Sequence, residues 1–220
     1  MTLPELIMGL AISTMVFLGA ASLMFSTAMS WKQSESGQSM ALASSQAVAR
    51  VAAKLSAAKY LGVVRKGSVD GSAAQAGGVL YWKDDNGDGM VQQSEMAWLE
   101  HNTAQQVIYL YELKPRTALT IAEKTWADAY LTASGITASA YPDNFKSASA
   151  VQKNVLARYV SGAMFEASLP SDPMTMPSVQ MVLTLSRNYT AGQTALGAEE
   201  NSAERRYATV TMRGATTQPN

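Results

Sequence analysis

Residues 1–31 read MTLPELIMGLAISTMVFLGAASLMFSTAMSW and carry a single charged side chain, Glu5. The next charge along the chain is Lys32. About 20 apolar residues are enough for a helix to cross a bilayer. A carboxylate in hydrocarbon costs about 2.5–3.5 kcal/mol, so such groups usually have a partner. The available partner is the α-ammonium of Met1, on the same chain or a neighbouring one. The stretch therefore predicts a membrane-length helix that packs against other copies.

Two simpler interpretations compete with this one. A secretory signal peptide has a basic start and a short apolar core, whereas this segment starts with an acid and its apolar run is longer. Residues 6–31 are long and apolar enough for a plain single-pass anchor, but an anchor does not explain the presence of Glu5. The anchor interpretation stays open.

The first seven residues, Met1-Thr2-Leu3-Pro4-Glu5-Leu6-Ile7, resemble the start of a mature type IV pilin or type II secretion pseudopilin. The resemblance covers residues 1 to about 55. It implies the pilin fold, an α+β architecture with a long N-terminal α-helix packed on an antiparallel β-sheet head. It also implies cleavage of a leader, methylation of residue 1 and assembly through Glu5 and Met1.

The same resemblance implies a function and a location. We expect a structural subunit of a type IV pilus-like filament, a helical homo-oligomer held in the inner membrane before assembly and handled by a pilus or secretion assembly machinery. It would then lie in an extracellular pilus or a periplasmic pseudopilus. Two alternatives stay open: a minor pilin or pseudopilin of a type II secretion system, and a monomeric membrane-anchored calcium-binding domain.

The helix is predicted to continue through residues 32–60, which contain no proline. Apolar side chains recur there at steps of three and four residues, which indicates one apolar stripe along a helix; they are Met40, Ala43, Ala47, Val48, Val51, Leu55 and Ala58. We therefore expect a long helix over 1–60, with 1–30 in the membrane or filament core and 31–60 packed on a head formed by 61–220.

The head is predicted to consist mostly of strands. Runs rich in β-branched and aromatic residues, bounded by turn residues, indicate these strands; they are 79–82, 106–113, 163–169, 178–187 and 205–213. Apolar residues at helical spacing predict helices in 120–133 and 148–160.

Residues 84–95, DDNGDGMVQQSE, match the calcium-loop pattern D-x-[DN]-x-D-G-x₅-E. Calcium takes six to eight oxygen ligands, which such a loop supplies at positions 1, 3, 5, 7, 9 and 12. The predicted ligands are the side chains of Asp84, Asn86 and Asp88, the Met90 carbonyl, Gln92 and Glu95. The simpler alternative is a hairpin turn, for which DDNGDG is also suitable, although a turn does not require an acid at position 12.

The residues before the loop, Val79-Leu80-Tyr81-Trp82, are strand-like, and one loop is unpaired. A sensor EF-hand needs helices on both sides, so we expect Ca²⁺ to be a structural clip and not a switch. Near-millimolar extracellular calcium would fill a site of about 10⁻⁴ M affinity.

The composition argues against several other functional classes of protein. The 17 acidic residues balance 17 Lys and Arg, so the sequence shows no basic footprint for nucleic acid. There is no cysteine, which rules out catalytic thiols and disulfides. The single histidine, His101, is predicted to lie exposed in a polar turn, LEHNT. No G-x-S-x-G, phosphate-loop or H-E-x-x-H motif is present. We expect the chain not to be an enzyme.

Overall fold

The computed structural model describes residues 3–70, 72, 76–83, 90–168, 178–186 and 203–211. Helix α1 runs from Leu3 to Ser56. The chain divides into two units, Met1–Leu42 and Ala43–Asn220, so α1 contributes to both. An apolar N-terminal helix followed by antiparallel sheets makes the fold α+β, which confirms the predicted class.

Local sequence explains why α1 is long and where it stops. No proline interrupts residues 5–56, and Pro4 occupies the first turn, where a missing N–H is tolerated. The helix ends at Ser56, before the predicted end near residue 60. The reason is sheet pairing, because the Lys59 N–H donates to the Trp82 carbonyl at 2.8 Å and Tyr60 pairs with Trp82.

The strands of the head fall into three antiparallel sheets. They are β1 (Tyr60–Arg65), β2 (Gly67–Ser68), β3 (Gly78–Trp82), β4 (Val91–Gln92), β5 (Met96–Asn102), β6 (Val107–Leu113), β7 (Tyr130–Leu131), β8 (Val151–Arg158), β9 (Val160–Ser168), β10 (Ser178–Ser186) and β11 (Ala203–Thr211). The orders are β1-β3-β5-β6-β8, β11-β10-β9-β2 and β4-β7. Shorter helices are α2 (Ile121–Ala127), α3 (Ala133–Ile136) and α4 (Tyr141–Ser147), with 3₁₀ turns at Gln93–Glu95 and Arg116–Ala118.

All five predicted strands are present within a few residues of their predicted bounds, as β3, β6, β9, β10 and β11. The helix predicted over 148–160 is wrong, because Val151–Arg158 is strand β8 and pairs with β6. Two β-branched valines in this segment suit a pleated strand, and long-range pairing overrides the helical spacing. The helix predicted over 120–133 is confirmed only for Ile121–Ala127. There a capping box joins Thr120 and Glu123.

Within the second unit, the last turns of α1 belong to the core of the head. Val51 and Leu55 are fully buried, as is Ala58 just beyond the helix. Arg50 Nη1 donates to the Leu156 carbonyl of β8 at 3.4 Å. At the other sheet, Arg206 Nε on β11 donates to the Ser44 hydroxyl at 3.2 Å. These two contacts place Ala43–Ser56 against the edge strands of both large sheets.

A second group of buried residues lies on the other face of the five-stranded sheet. It comprises Leu80, Trp82, Val91, Met96, Trp98, Ile136 and Phe145. Because Ile136 and Phe145 come from α3 and α4, this short helical region covers the sheet face that carries Leu80, Trp82, Met96 and Trp98.

Glycine is required where two backbone segments cross. A side chain at Gly162 of β9 would collide with the Val69 carbonyl, which follows β2. Backbone atoms cannot move aside as a flexible side chain can. At this crossing, β9 of the four-stranded sheet lies against the backbone that follows β1 and β2.

We expect Gly162→Ala to destabilise the protein by about 1–3 kcal/mol, the usual cost of overpacking. Its melting temperature should fall by about 2–4 °C per kcal/mol. Gly135→Ala is the matched control, because its new methyl would meet only the Thr132 hydroxyl at 3.2 Å. Equal thermal unfolding curves for the two variants would contradict this account of Gly162.

Candidate assembly helix and calcium loop

The first unit presents an apolar surface on every side of α1. Residues Ile7–Lys32 form a helix that is, by length and composition, apolar enough to cross a membrane, and a signal sequence near an N-terminus can meet the same criterion. At 1.5 Å per residue this segment spans about 39 Å. The four consecutive residues Met15, Val16, Phe17 and Leu18 are each at least 65% exposed. Since successive residues turn by about 100°, they occupy most of the helix circumference.

Three hydroxyl side chains of this segment bond to the helix itself. Ser13 donates to the Gly9 carbonyl, Thr14 to the Ala11 carbonyl and Thr27 to the Leu23 carbonyl, each at 2.8 Å. These hydroxyls therefore need no water, which suits a helix surrounded by lipid or by other apolar helices.

The predicted assembly residues fall at the start of this helix. Glu5 lies in the third position of α1, but its side chain and all of Met1 are outside the described residues. Their predicted pairing stays a prediction.

The predicted calcium loop connects two neighbouring strands. Trp82 at the end of β3 pairs with Met96 at the start of β5, and the Lys83 N–H donates to the Glu95 carbonyl at 2.8 Å. Lys83, which precedes the loop, and Glu95, its last residue, therefore lie next to each other at the end of an antiparallel ladder. This closure suits a twelve-residue ligand loop, because it brings the two ends of the loop together.

The second half of the loop is described and is attached to the core. Val91 is buried in the same cluster as Trp82 and Met96. Together with Gln92 it forms β4, which pairs with β7 at Leu131 and Tyr130. Val91 therefore lies in a short pairing segment. No α-helix flanks the loop among the described residues, since β3 precedes it and a 3₁₀ turn and β5 follow it.

The carboxylate predicted at position 12 is oriented by the backbone. Glu95 is only 5% exposed, and its Oε2 accepts from the Gln92 N–H at 3.0 Å. The buried carboxylate is therefore paired with a backbone donor, as the cost of burying a charge requires.

Three of the six predicted ligands, Asp84, Asn86 and Asp88, lie outside the described residues, whereas Met90, Gln92 and Glu95 lie inside them. Among the described residues, no group of three or more His, Cys, Asp or Glu side chains could hold a metal. Since half of the predicted ligands lie outside the described residues, calcium binding stays a prediction.

His101 does not lie in an exposed turn, so that prediction is wrong. It is part of β5, is 2% exposed, and its Nε2 lies 2.7 Å from the Val160 carbonyl. The run LEHNT looks polar, but Leu99 and His101 share the buried face of the strand while Glu100 is half-buried on the other. Burial lowers the pKa of His101, and the hydrogen bond to Val160 opposes this only in part.

Sequence reasoning also missed an ion network that fixes α4 to the sheet. Arg65 donates to both carboxylate oxygens of Asp143, at 3.2 and 2.6 Å, while its guanidinium lies 5.3 Å from the Trp98 ring centre. Lys146 contacts Asp143 and Glu100, each at 2.9 Å. The hydrogen bonds from Arg65 and Lys146 lower the pKa of Asp143 to about 2. No local sequence signal marks partners this far apart in the chain.

Comparison with other proteins adds no identification. No protein-family model matches this chain, and the searches of curated proteins and of solved structures find no match.

The buried, neutral His101 makes stability depend on pH. Its pKa in the folded protein is below the usual 6.5, so the unfolded chain binds a proton first as pH falls. Stability should be complete above about pH 6.5 and should decrease below it, by at most about 1.4 kcal/mol per pH unit. Urea unfolding between pH 7.5 and 5.5 measures this dependence.

The control is His101→Gln, which keeps a donor for the Val160 carbonyl and removes the titrating group. Its free energy of unfolding should change less over the same pH range. An equal pH dependence in the two proteins would mean that another group is responsible.

Proposed function

We propose that this chain is a structural subunit of a type IV pilus-like filament, which assembles through its hydrophobic N-terminal helix and whose head is stabilised by calcium. The observation that carries the proposal is the contrast within α1. Residues Ile7–Lys32 expose apolar side chains all round, whereas Val51 and Leu55 are buried in the head. One continuous helix thus combines a segment that needs an external apolar partner with a segment that belongs to a folded domain.

Neighbouring copies of the helix can supply that partner. Apolar side chains on every side of Ile7–Lys32 can be covered by lipid before assembly and by other helices afterwards. Added methyl groups at Gly9 and Gly19 would meet nothing within 4 Å, so both positions leave open surface to which a second helix can come close. An acid at position 5 has a role in such a bundle, where it can pair with the Met1 amine of the next subunit.

The location and partners follow from the same proposal. The subunit would be held in the inner membrane, handled by an assembly machinery, and then form a surface pilus or a periplasmic pseudopilus. The same features suit a minor pilin or a pseudopilin of a type II secretion system. A monomeric membrane-anchored calcium-binding domain would use the helix as an anchor and leave Glu5 without a role.

Calcium fits the loop as a clip between β3 and β5. The ladder closes the loop at Lys83 and Glu95, Val91 fixes its second half to the core, and Glu95 is already buried and oriented. A bound ion would neutralise the acids of Asp84–Glu95. This connection lacks cysteines, so no disulfide can hold it.

Replacing Glu5 with Gln should abolish or strongly slow filament formation while membrane insertion continues. The reason is that an uncharged side chain cannot pair with the amine of an adjacent subunit. Sheared surface material can be quantified by immunoblot and electron microscopy, and the membrane fraction measures insertion.

Glu35→Gln is the matched control, because it removes an acid from an exposed position of the same helix beyond the apolar segment. It should leave filaments unchanged. Normal filaments from Glu5→Gln cells would refute the role of Glu5 and favour the monomeric anchored domain.

Removing calcium with a chelator should lower the melting temperature by several degrees. An ion that binds only the folded state stabilises it by about 2.7 kcal/mol at a hundredfold excess over Kd. Asp84→Ala and Glu95→Gln should melt at the chelated temperature with or without calcium. Magnesium should substitute poorly, because it requires six ligands at shorter distances.

Glu166→Gln serves as the control, since this acid is exposed on β9, away from the loop. It should retain the full calcium-dependent shift. Coincident melting curves with calcium and with chelator would refute calcium binding and leave the hairpin turn as the interpretation of residues 84–89.

A further inference from the structure

Strand β8 forms an edge of the five-stranded sheet. Its inner side pairs with β6 over Val151–Arg158, and no described strand pairs with its outer side. An edge strand presents unpaired N–H and C=O groups, which can receive another extended chain. At this edge one carbonyl, that of Leu156, accepts a long hydrogen bond of 3.4 Å from Arg50.

A bulge arranges the charges of β8 on one face. The register with β6 pairs Lys153 with Tyr111, Val155 with Tyr109 and Arg158 with Val107, and it skips Leu156. Side chains alternate along a strand, so the skipped residue brings Arg158 onto the same face as Lys153 and Val155. This face therefore carries cation, valine and cation in order.

These side chains are accessible and their charges are not compensated. Val155 is 45% exposed, and Lys153 and Arg158 are exposed as well. Lys153 Nζ lies 3.6 Å from the Tyr109 ring centre. Among the described residues, no carboxylate forms an ion pair with either cation.

A groove follows the same edge. It has a volume of about 310 Å³ and lies between β8 and the α1 segment that contains Ala43, Ala47 and Arg50. The two alanines line this side of the groove with small apolar side chains. Arg50 and Arg158 are the two cations of its lining.

We propose that the β8 edge binds an extended polypeptide segment that carries carboxylates on both sides of an apolar residue. The incoming segment adds a strand antiparallel to β8 through backbone hydrogen bonds. Its carboxylates lie opposite Lys153 and Arg158, and its apolar side chain lies opposite Val155. Opposite charges across a strand pair are favourable, which gives the edge its selectivity.

The same charges act against a second copy of β8. Its sequence, VQKNVLAR, contains two cations and no acid, so two copies would bring like charges together. Cations on an edge strand also prevent aggregation. The edge thus rejects copies of itself and selects for acidic strands.

The test uses the full chain in detergent micelles and measures peptide binding by calorimetry in 50 mM salt. The probe is the blocked peptide TETVTET, whose acids and valine have the two-residue spacing of the β6 residues that pair with Lys153, Val155 and Arg158. The comparison peptide is TKTVTKT. We expect the acidic peptide to bind at least tenfold tighter. The double variant K153E/R158E should reverse this preference. A TETVTET peptide that is N-methylated at alternate residues should bind at least tenfold more weakly, because it cannot pair as a strand.

The matched control is K54E/K124E, which makes the same charge change at exposed positions of α1 and α2. It should keep the preference of the wild-type protein. Equal binding of the two peptides, or no loss on K153E/R158E, would overturn the proposal. Unchanged binding of the N-methylated peptide would show charge attraction without strand addition, which also contradicts it. Self-association that K153E/R158E abolishes would identify a second copy as the occupant instead.

Discussion

The burial of one face of α1 in the head is the constraint on which the rest of the structure depends. Ser44, Ala47, Val51 and Leu55 recur at steps of three and four residues and are all buried. The side chains of this face are small near Ser44 and larger near Leu55. Arg50 donates from the helix to β8, and Arg206 donates from β11 to the helix. Apolar burial of this kind contributes about 25 cal/mol per Å². The head therefore incorporates part of a helix whose remainder has no core of its own.

That remainder gives the first unit a different energetic basis. Backbone bonds within a helix satisfy each other, so Ile7–Lys32 is stable in an apolar surrounding without tertiary contacts. In water the same exposed side chains would be a large liability. An apolar environment would thus stabilise the first unit, whereas the second unit is stabilised by its own sheets.

Sequence patterns predicted the parts of the fold that local forces control. The length of α1, its buried stripe and the five strands with strong β-branched runs follow from periodicity and composition. The errors have a common cause, which is pairing between distant segments. Tyr60 pairs with Trp82 and so does not continue the helix. Val151–Arg158 is a strand because it pairs with β6. His101 is buried because β5 lies between β3 and β6 in the sheet. A contact over such distances leaves no period in the local sequence.

The calcium loop shows how the two kinds of information combine. The ligand pattern of 84–95 is local and can be read from spacing, but the pattern does not say whether the ends of the loop meet. The structure answers this with the pairing of Trp82 and Met96. An ion at this point would join β3 and β5 at the rung where the ladder stops. It would do so beside Trp82, Val91 and Met96, which belong to the buried cluster on one face of the sheet. Binding there would reinforce a connection that the sheet has already closed, and this is why a structural clip is more consistent with the fold than a switch that opens a groove.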